Sequence, residues 1–181
     1  MMRLGLSSGL RRTTFAFGSA ACAAGLVYWT FSSIGIRVNA SPSLPIGLYR
    51  IDSGPQARLV EFCPAEPYGS LASLRRYRDA GRCPDGGTPL LKPVVARAGD
   101  EVVVAATGVT VNGAFLPNSA PRTRDSAGRP LTPWAFGTYR VEPGSLWVVS
   151  SYEARSFDSR YFGPIRESQV LDRLRPLLVR R

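Results

Sequence analysis

Between Thr13 and Ile36 the chain carries no charged side chain, and this run constrains what the rest can be. At about 1.5 Å per residue, a helix of this length crosses a hydrocarbon core of about 30 Å. The run is therefore read as a transmembrane anchor over 13–36. Tyr28 and Trp29 lie towards its outer end, where amphipathic rings favour the interface. Arg3, Arg11 and Arg12 precede it, so the positive-inside rule keeps residues 1–12 in the cytoplasm and exports 37–181. Arg37 weakens that bias without reversing it. A cleaved signal peptide is the alternative, since Val38-Asn39-Ala40 resembles a small-residue cleavage site. Against it, the apolar run exceeds the usual h-region of roughly 7–15 residues.

The exported part is long enough for one ordinary domain. The net charge of +10 raises the question of nucleic acid. The arginines are spread along the chain, however, with only Arg75, Arg76, Arg78 and Arg82 closely grouped, and no nucleic-acid-binding motif accompanies them. The charge reads as solubility and attraction to an anionic membrane surface, with no nucleic-acid partner. The chain has no histidine. A Ser-His-Asp triad, a Cys-His pair and a His-bearing zinc-hydrolase site are excluded, and any hydrolase here needs another base.

One candidate base stands out. Of 23 basic residues, Lys92 is the single lysine. Arginine keeps its proton at any working pH, whereas a lysine among apolar neighbours such as Leu90, Leu91, Val94 and Val95 can lose it.

Along the chain, the stretch 39–49 (Asn-Ala-Ser-Pro-Ser-Leu-Pro-Ile-Gly-Leu-Tyr) cannot be a helix. Its prolines favour extended geometry at Ser41 and Leu44, which would put Ser41 and Ser43 on one face. Leu59–Cys63 reads as a strand, and Ser70–Tyr77 as a short helix capped by Ser70. Cys63 and Cys83 bracket that helix, and in an exported domain they are expected to be bridged, contributing about 3 kcal/mol. Cys22, within the apolar run, reads as inert. From Leu90 the pattern is β: Leu90–Arg97, a turn at Ala98-Gly99-Asp100, Glu101–Ala105, and a hairpin closed by Asn112-Gly113. Pro117–Pro133 reads as a mobile surface excursion. Further strands are expected at Tyr139–Val141 and Leu146–Val149, and the tail from Val170 rejoins the sheet in part. The expectation is a mainly β, antiparallel domain behind one N-terminal transmembrane helix.

Three stretches carry chemistry: Ser41-Pro42-Ser43-Leu44-Pro45, Leu91-Lys92, and Ser156-Phe157-Asp158-Ser159-Arg160. A serine near the membrane and a lone apolar lysine, with no histidine, point to a Ser-Lys dyad, in which a neutral amine takes the serine proton. The order anchor, Ser-Leu-Pro, Leu-Leu-Lys, Ala-Gly-Asp-Glu-Val, Ser-x-Asp-Ser-Arg-Tyr-Phe-Gly resembles the type I signal peptidases of the Ser-Lys class. The Asn-x-Ser-x-Ser-Leu-Pro-x-Gly-Leu-Tyr form, with the cysteine pair, resembles their conjugative-transfer, TraF-type branch. Leader peptidases commonly carry a basic residue where Pro93 stands, and a Ser-Met-x-Pro one residue longer than Ser-Leu-Pro. The shorter form fits the conjugative branch.

The resemblance implies a signal-peptidase-like β fold, with Ser43 as nucleophile and Lys92 as general base. It implies that Ser41 joins the Ser43 N–H in the oxyanion hole and that Ser156 orients the amine. Asp158 and Arg160 would brace that wall of the site, and Gly99 and Asp100 would form an architectural turn. It also implies a bacterial inner-membrane enzyme with a periplasmic catalytic domain and no metal or organic cofactor. Its partners would be membrane lipid and a membrane-bound prepilin or similar pro-protein, hydrolysed or closed into a ring.

A Ser-x-x-Lys enzyme of the penicillin-binding type is excluded, since Pro89 stands three before Lys92. A self-cleaving repressor would carry a DNA-reading domain in place of the anchor. A general leader peptidase and a non-enzymatic envelope binding module stay open. The second predicts an exposed Lys92 with ordinary amine reactivity.

Overall fold

The computed structural model describes residues 33–54 and 57–180. The chain divides into two compact units, Met1–Arg37 and Val38–Arg181, and the site described below lies within the second. No helix among the described residues is long and apolar enough to cross a membrane. The expected anchor lies outside the described residues except at its end. There Ile36, counted above as the last anchor residue, instead opens the first strand.

Among the described residues eleven strands form two sheets. In chain order they are β1 (Ile36–Asn39), β2 (Gly47–Ile51), β3 (Leu59–Phe62), β4 (Leu90–Ala96), β5 (Glu101–Ala105), β6 (Gly108–Val111), β7 (Ala114–Phe115), β8 (Gly137–Arg140), β9 (Ser145–Val148), β10 (Ile165–Arg166) and β11 (Val170–Val179). Two short helices, α1 (Tyr68–Leu74) and α2 (Ser159–Phe162), and one 3₁₀ turn (Glu167–Gln169) complete the described secondary structure. The larger sheet runs β1-β2-β11-β3-β4-β9-β10 and the smaller β7-β6-β5-β8. From β2 to β10 every ladder is antiparallel.

The strands alternate as half-buried strands must. On β4, Leu90 and Val94 belong to the largest core cluster, with Val60, Phe62, Val148, Phe157 and Tyr161, while Leu91 packs with Leu44 and Tyr49. On β9, Leu146 and Val148 enter the same large cluster, and Trp147 turns to the core of the second sheet with Val102, Val104 and Val109. The chain passes between sheets at the turn after β4. There Arg97 N–H donates to the Asp100 carboxylate at 2.8 Å and Asn112 donates to its other oxygen at 2.8 Å. Gly99 at φ 91° supplies the left-handed step of this turn.

Several expectations are corrected. Helix α1 begins at Tyr68, and Ser70 lies inside it; the Glu66 side chain, not Ser70, accepts from a first-turn amide, that of Ser70, at 3.2 Å. The tail makes one ten-residue strand between β2 and β3, deep in the sheet rather than partly joined to it. The Ser41–Leu44 stretch is a turn, not an extended segment. Pro117–Pro133 is held at several points: Ser119 is buried, Arg122 N–H donates to the Tyr161 hydroxyl at 2.9 Å, and Asp125 accepts from Tyr77 at 2.6 Å. Polar anchors do there what apolar ones do elsewhere. As expected, Cys63 and Cys83 are joined, with Cα atoms 5.6 Å apart.

Candidate active site

Lys92 sits in β4 opposite Val60, between Leu90 and Val94 on the same face. Period-two alternation sends its side chain towards the largest core cluster, and it is only 4 % exposed. Burial, the largest influence, disfavours the charged amine and brings its pKa down to about 8; Asp158 opposes that shift and Arg160 assists it. Pro93 does not disturb the strand. It lies in register with Leu59, and its carbonyl accepts from Val149 N–H at 3.3 Å.

Ser43 occupies the turn between β1 and β2, 7 % exposed, while Ser41 is exposed. The turn brings the two hydroxyls together. Ser41 Oγ donates to Ser43 Oγ at 3.2 Å and accepts from Ser43 N–H at 3.3 Å. Asn39, buried at the end of β1, shapes this turn. Its amide nitrogen lies 2.9 Å from the Ser41 carbonyl oxygen and 3.2 Å from those of Leu44 and Pro45, and its Oδ1 accepts from Ser41 N–H at 3.1 Å.

Asp158 and Arg160 are both fully buried and bonded at 2.8 Å through two parallel contacts. Asp158 also caps α2 by accepting from Arg160 N–H at 3.2 Å, and it accepts from Ser150 N–H at 3.0 Å. The remaining guanidinium donors reach the carbonyls of Asn118, Ala154 and Ser156, at 2.9, 3.1 and 3.0 Å. A buried ion pair survives only when its spare donors and acceptors are met in this way. Ser156 itself is buried, and among the described residues its hydroxyl has no hydrogen-bond partner. Phe157, between Ser156 and Asp158, stacks on Tyr161 and meets Phe162 edge-on, which stiffens this wall.

Ser150 closes the circuit. Its hydroxyl donates to the Ser43 carbonyl, and its amide donates to Asp158. Ser41, Ser43, Lys92, Asp158 and Arg160 thus belong to one neighbourhood, with Ser156 bonded into it through its carbonyl. Lys92 feels the charges of Asp158 and Arg160, and among the described residues no hydrogen bond joins its amine to Ser43. Gly99 and Asp100 hold the turn between the sheets and bond to Val141, Arg97 and Asn112, not to this cluster. Sequence reasoning did not single out Asn39 or Ser150. Asn39 was open to inference, because an asparagine ahead of a Ser-x-Ser turn often bonds to the backbone following it. Nothing local marks Ser150, whose partner lies 107 residues away.

The domain thus holds a buried amine with a lowered pKa, a serine in a tight polar turn and a satisfied buried ion pair, in a chain with no histidine. The family model for "Signal peptidase, peptidase S26" matches residues 10–178. The chain belongs to that family. Within it, the chain is 42 % identical over 148 residues to a plasmid transfer protein TraF of Escherichia coli, covering 80 % of this chain and 83 % of that one. A second E. coli plasmid transfer protein TraF is 37 % identical over 164 residues, covering 89 % and 90 %. The conjugal transfer protein TraF of Agrobacterium fabrum is 39 % identical over 150 residues, covering 79 % and 82 %. Among solved structures, a signal peptidase I from Enterococcus faecalis V583 is 20 % identical with a TM-score of 0.38, covering 69 % of this chain and 99 % of that one. Membership of the S26 family makes the chain a serine peptidase of the signal-peptidase type.

Proposed function

We propose that this S26 peptidase is a membrane-anchored endopeptidase with a Ser43-Lys92 dyad, acting outside the cytoplasm on a conjugative prepilin or similar membrane pro-protein. The observation that carries this reading is the burial of the chain's single lysine, with its pKa near 8, against the Asp158–Arg160 wall that Ser150 ties to the backbone of Ser43. The TraF relatives support a conjugative precursor as the substrate.

In this mechanism the neutral Lys92 amine takes the proton of Ser43 Oγ as that oxygen attacks the scissile carbonyl carbon. The oxyanion that forms replaces the contact between Ser41 Oγ and Ser43 N–H, so both donors turn to the substrate oxygen. The lysine ammonium then returns the proton to the leaving amine, leaving an ester on Ser43. Water, or the substrate's own terminal amine, attacks that ester, with Lys92 again taking the proton. Water gives a linear product and the internal amine a ring. Ser156, whose hydroxyl has no partner among the described residues, is placed to accept from the amine when it is charged, while Asp158 and Arg160 hold the wall in place. The apolar run at 13–36 keeps the domain at the membrane surface, on the periplasmic side.

The test uses the full-length chain in detergent with a conjugative prepilin. Ser43→Ala and Lys92→Arg each lower cleavage by about 10³-fold or more with the fold retained by circular dichroism, because an arginine cannot accept the proton. Activity retained in Lys92→Arg overturns the role of the base, and activity retained in Ser43→Ala overturns the nucleophile. Mass spectrometry of the product separates the two endings, since ring closure leaves the product one water lighter than the linear chain.

A further inference from the structure

We infer that Ser150 is a positioning residue that fixes the nucleophile's turn against the strand carrying the base, an inference that rests on the dyad reading above. The sheet order creates the need for it. The turn bearing Ser43 leads into β2, and β2 is separated from β4, which carries Lys92, by both β11 and β3. No ladder hydrogen bond therefore sets the distance between the two groups. On its other side Lys92's strand pairs with β9, through Val94 and Val148. Val149 N–H continues that pairing to the Pro93 carbonyl at 3.3 Å. Ser150 is the next residue, so its backbone is placed by the base's own strand.

From that position Ser150 reaches in two directions. Its hydroxyl donates to the Ser43 carbonyl, and its N–H donates to Asp158 Oδ2 at 3.0 Å. The hydroxyl also accepts from Tyr152 N–H at 3.2 Å, which fixes its rotor so that its proton is free for Ser43. Ser150 is fully buried, and competition from water is therefore small. Asn39 determines the internal shape of the Ser43 turn, and Ser150 determines where that turn sits relative to Lys92. A displacement of about 1 Å between reacting groups lowers a rate by about 10²-fold, so this bond bears on turnover more than on substrate affinity.

The variant is Ser150→Ala, which deletes the hydroxyl and keeps the amide bond to Asp158. With prepilin as substrate, kcat is expected to fall about 10–100-fold while KM stays within about twofold. With ¹⁵N-lysine labelling, the single lysine reports its own titration, and its midpoint is expected to stay at the wild-type value because the wall around it is intact. The amide resonance of Leu44, whose peptide plane includes the Ser43 carbonyl, is expected to move. A kcat within about twofold of wild type, a fall accompanied by a shifted Lys92 midpoint, or an unmoved Leu44 resonance each overturns the assignment. The Leu44 resonance needs no turnover, so it decides the tether even if prepilin is not the substrate. If Ser43→Ala is dead and Ser150→Ala fully active, the tether falls and the peptidase reading stands. If Ser43→Ala remains active, the peptidase reading falls.

Discussion

Whether Lys92 carries a proton depends on how well its surroundings solvate a charge, and they solvate it poorly. Two consequences share one sign. In the proposed dyad the neutral amine is the base, so kcat/KM is expected to rise with pH about a midpoint near 8, gaining about tenfold between pH 7 and pH 9. Because folding lowers the pKa from its unfolded value of about 10.4, the unfolded chain binds more protons between the two values. Lys92 therefore costs stability where it is charged, below about 8, and that cost is relieved as pH climbs towards 10.4. A flat pH-rate profile from 7 to 9 would refute the assignment of Lys92 as base. At this scale the sequence was informative about residue type. A lone lysine among arginines and the total absence of histidine narrowed the chemistry before any fold was known. It was silent on Ser150, because a serine that bonds to a carbonyl 107 positions away looks like any other serine. Of the four grouped arginines, Arg75, Arg78 and Arg82 are engaged by Asp125, Asp85 and the Glu61–Asp172 pair. Each is taken up by an ion pair within the domain, two of them with partners distant in sequence.

At the level of elements, β2 is held by its pairing with β11, and Gly47 sets the limit on that pairing. It opens β2 at φ 148° opposite Val179, and a Cβ placed there would lie 2.2 Å from the Leu178 carbonyl oxygen. Gly47→Ala is expected to destabilise the domain by about 1–3 kcal/mol in denaturant unfolding. It should also slow cleavage, because Arg180 N–H donates to the Ile46 carbonyl at 2.8 Å just after the nucleophile's turn. An unchanged midpoint would show that the strand can slide away from the clash. Short apolar runs bounded by turn residues, such as β4 and β5, and the Asn112-Gly113 hairpin were legible from sequence, because a β-branched run and a positive-φ turn leave a local mark. The start of α1 was not. Its first turn is held by the Glu66 carboxylate acting on the amide four residues on, so the expected serine cap has no part in it.

At the level of the molecule, Arg160 is where separate parts of the chain meet. Its guanidinium reaches Asn118 in the excursion after β7, Ala154 in the loop after β9, and Asp158 at the head of α2. Arg160→Met keeps much of the volume but leaves Asp158 charged and buried. The loss expected is about 3–5 kcal/mol in chemical unfolding, larger than any surface ion pair would give. A loss under about 1 kcal/mol would mean that the pair acts as if it were exposed. This same junction explains why Pro117–Pro133 was read as a mobile excursion. Its anchors are hydrogen bonds donated by Tyr77 and Arg160 and one that the Tyr161 hydroxyl accepts from Arg122 N–H, in chain that carries few apolar residues, and no periodic pattern records such contacts. The sequence alone determined the β character, the disulfide partners and the family, and it confined any general base to residues other than histidine, since each of these is written in local pattern or composition. Only the tertiary structure decided how deeply Lys92 is buried, that Asp158 and Arg160 form a dry pair, and that Ser150 bonds both the Ser43 carbonyl and Asp158. Burial and long-range hydrogen bonds depend on which strands become neighbours, and that order is a property of the assembled sheet.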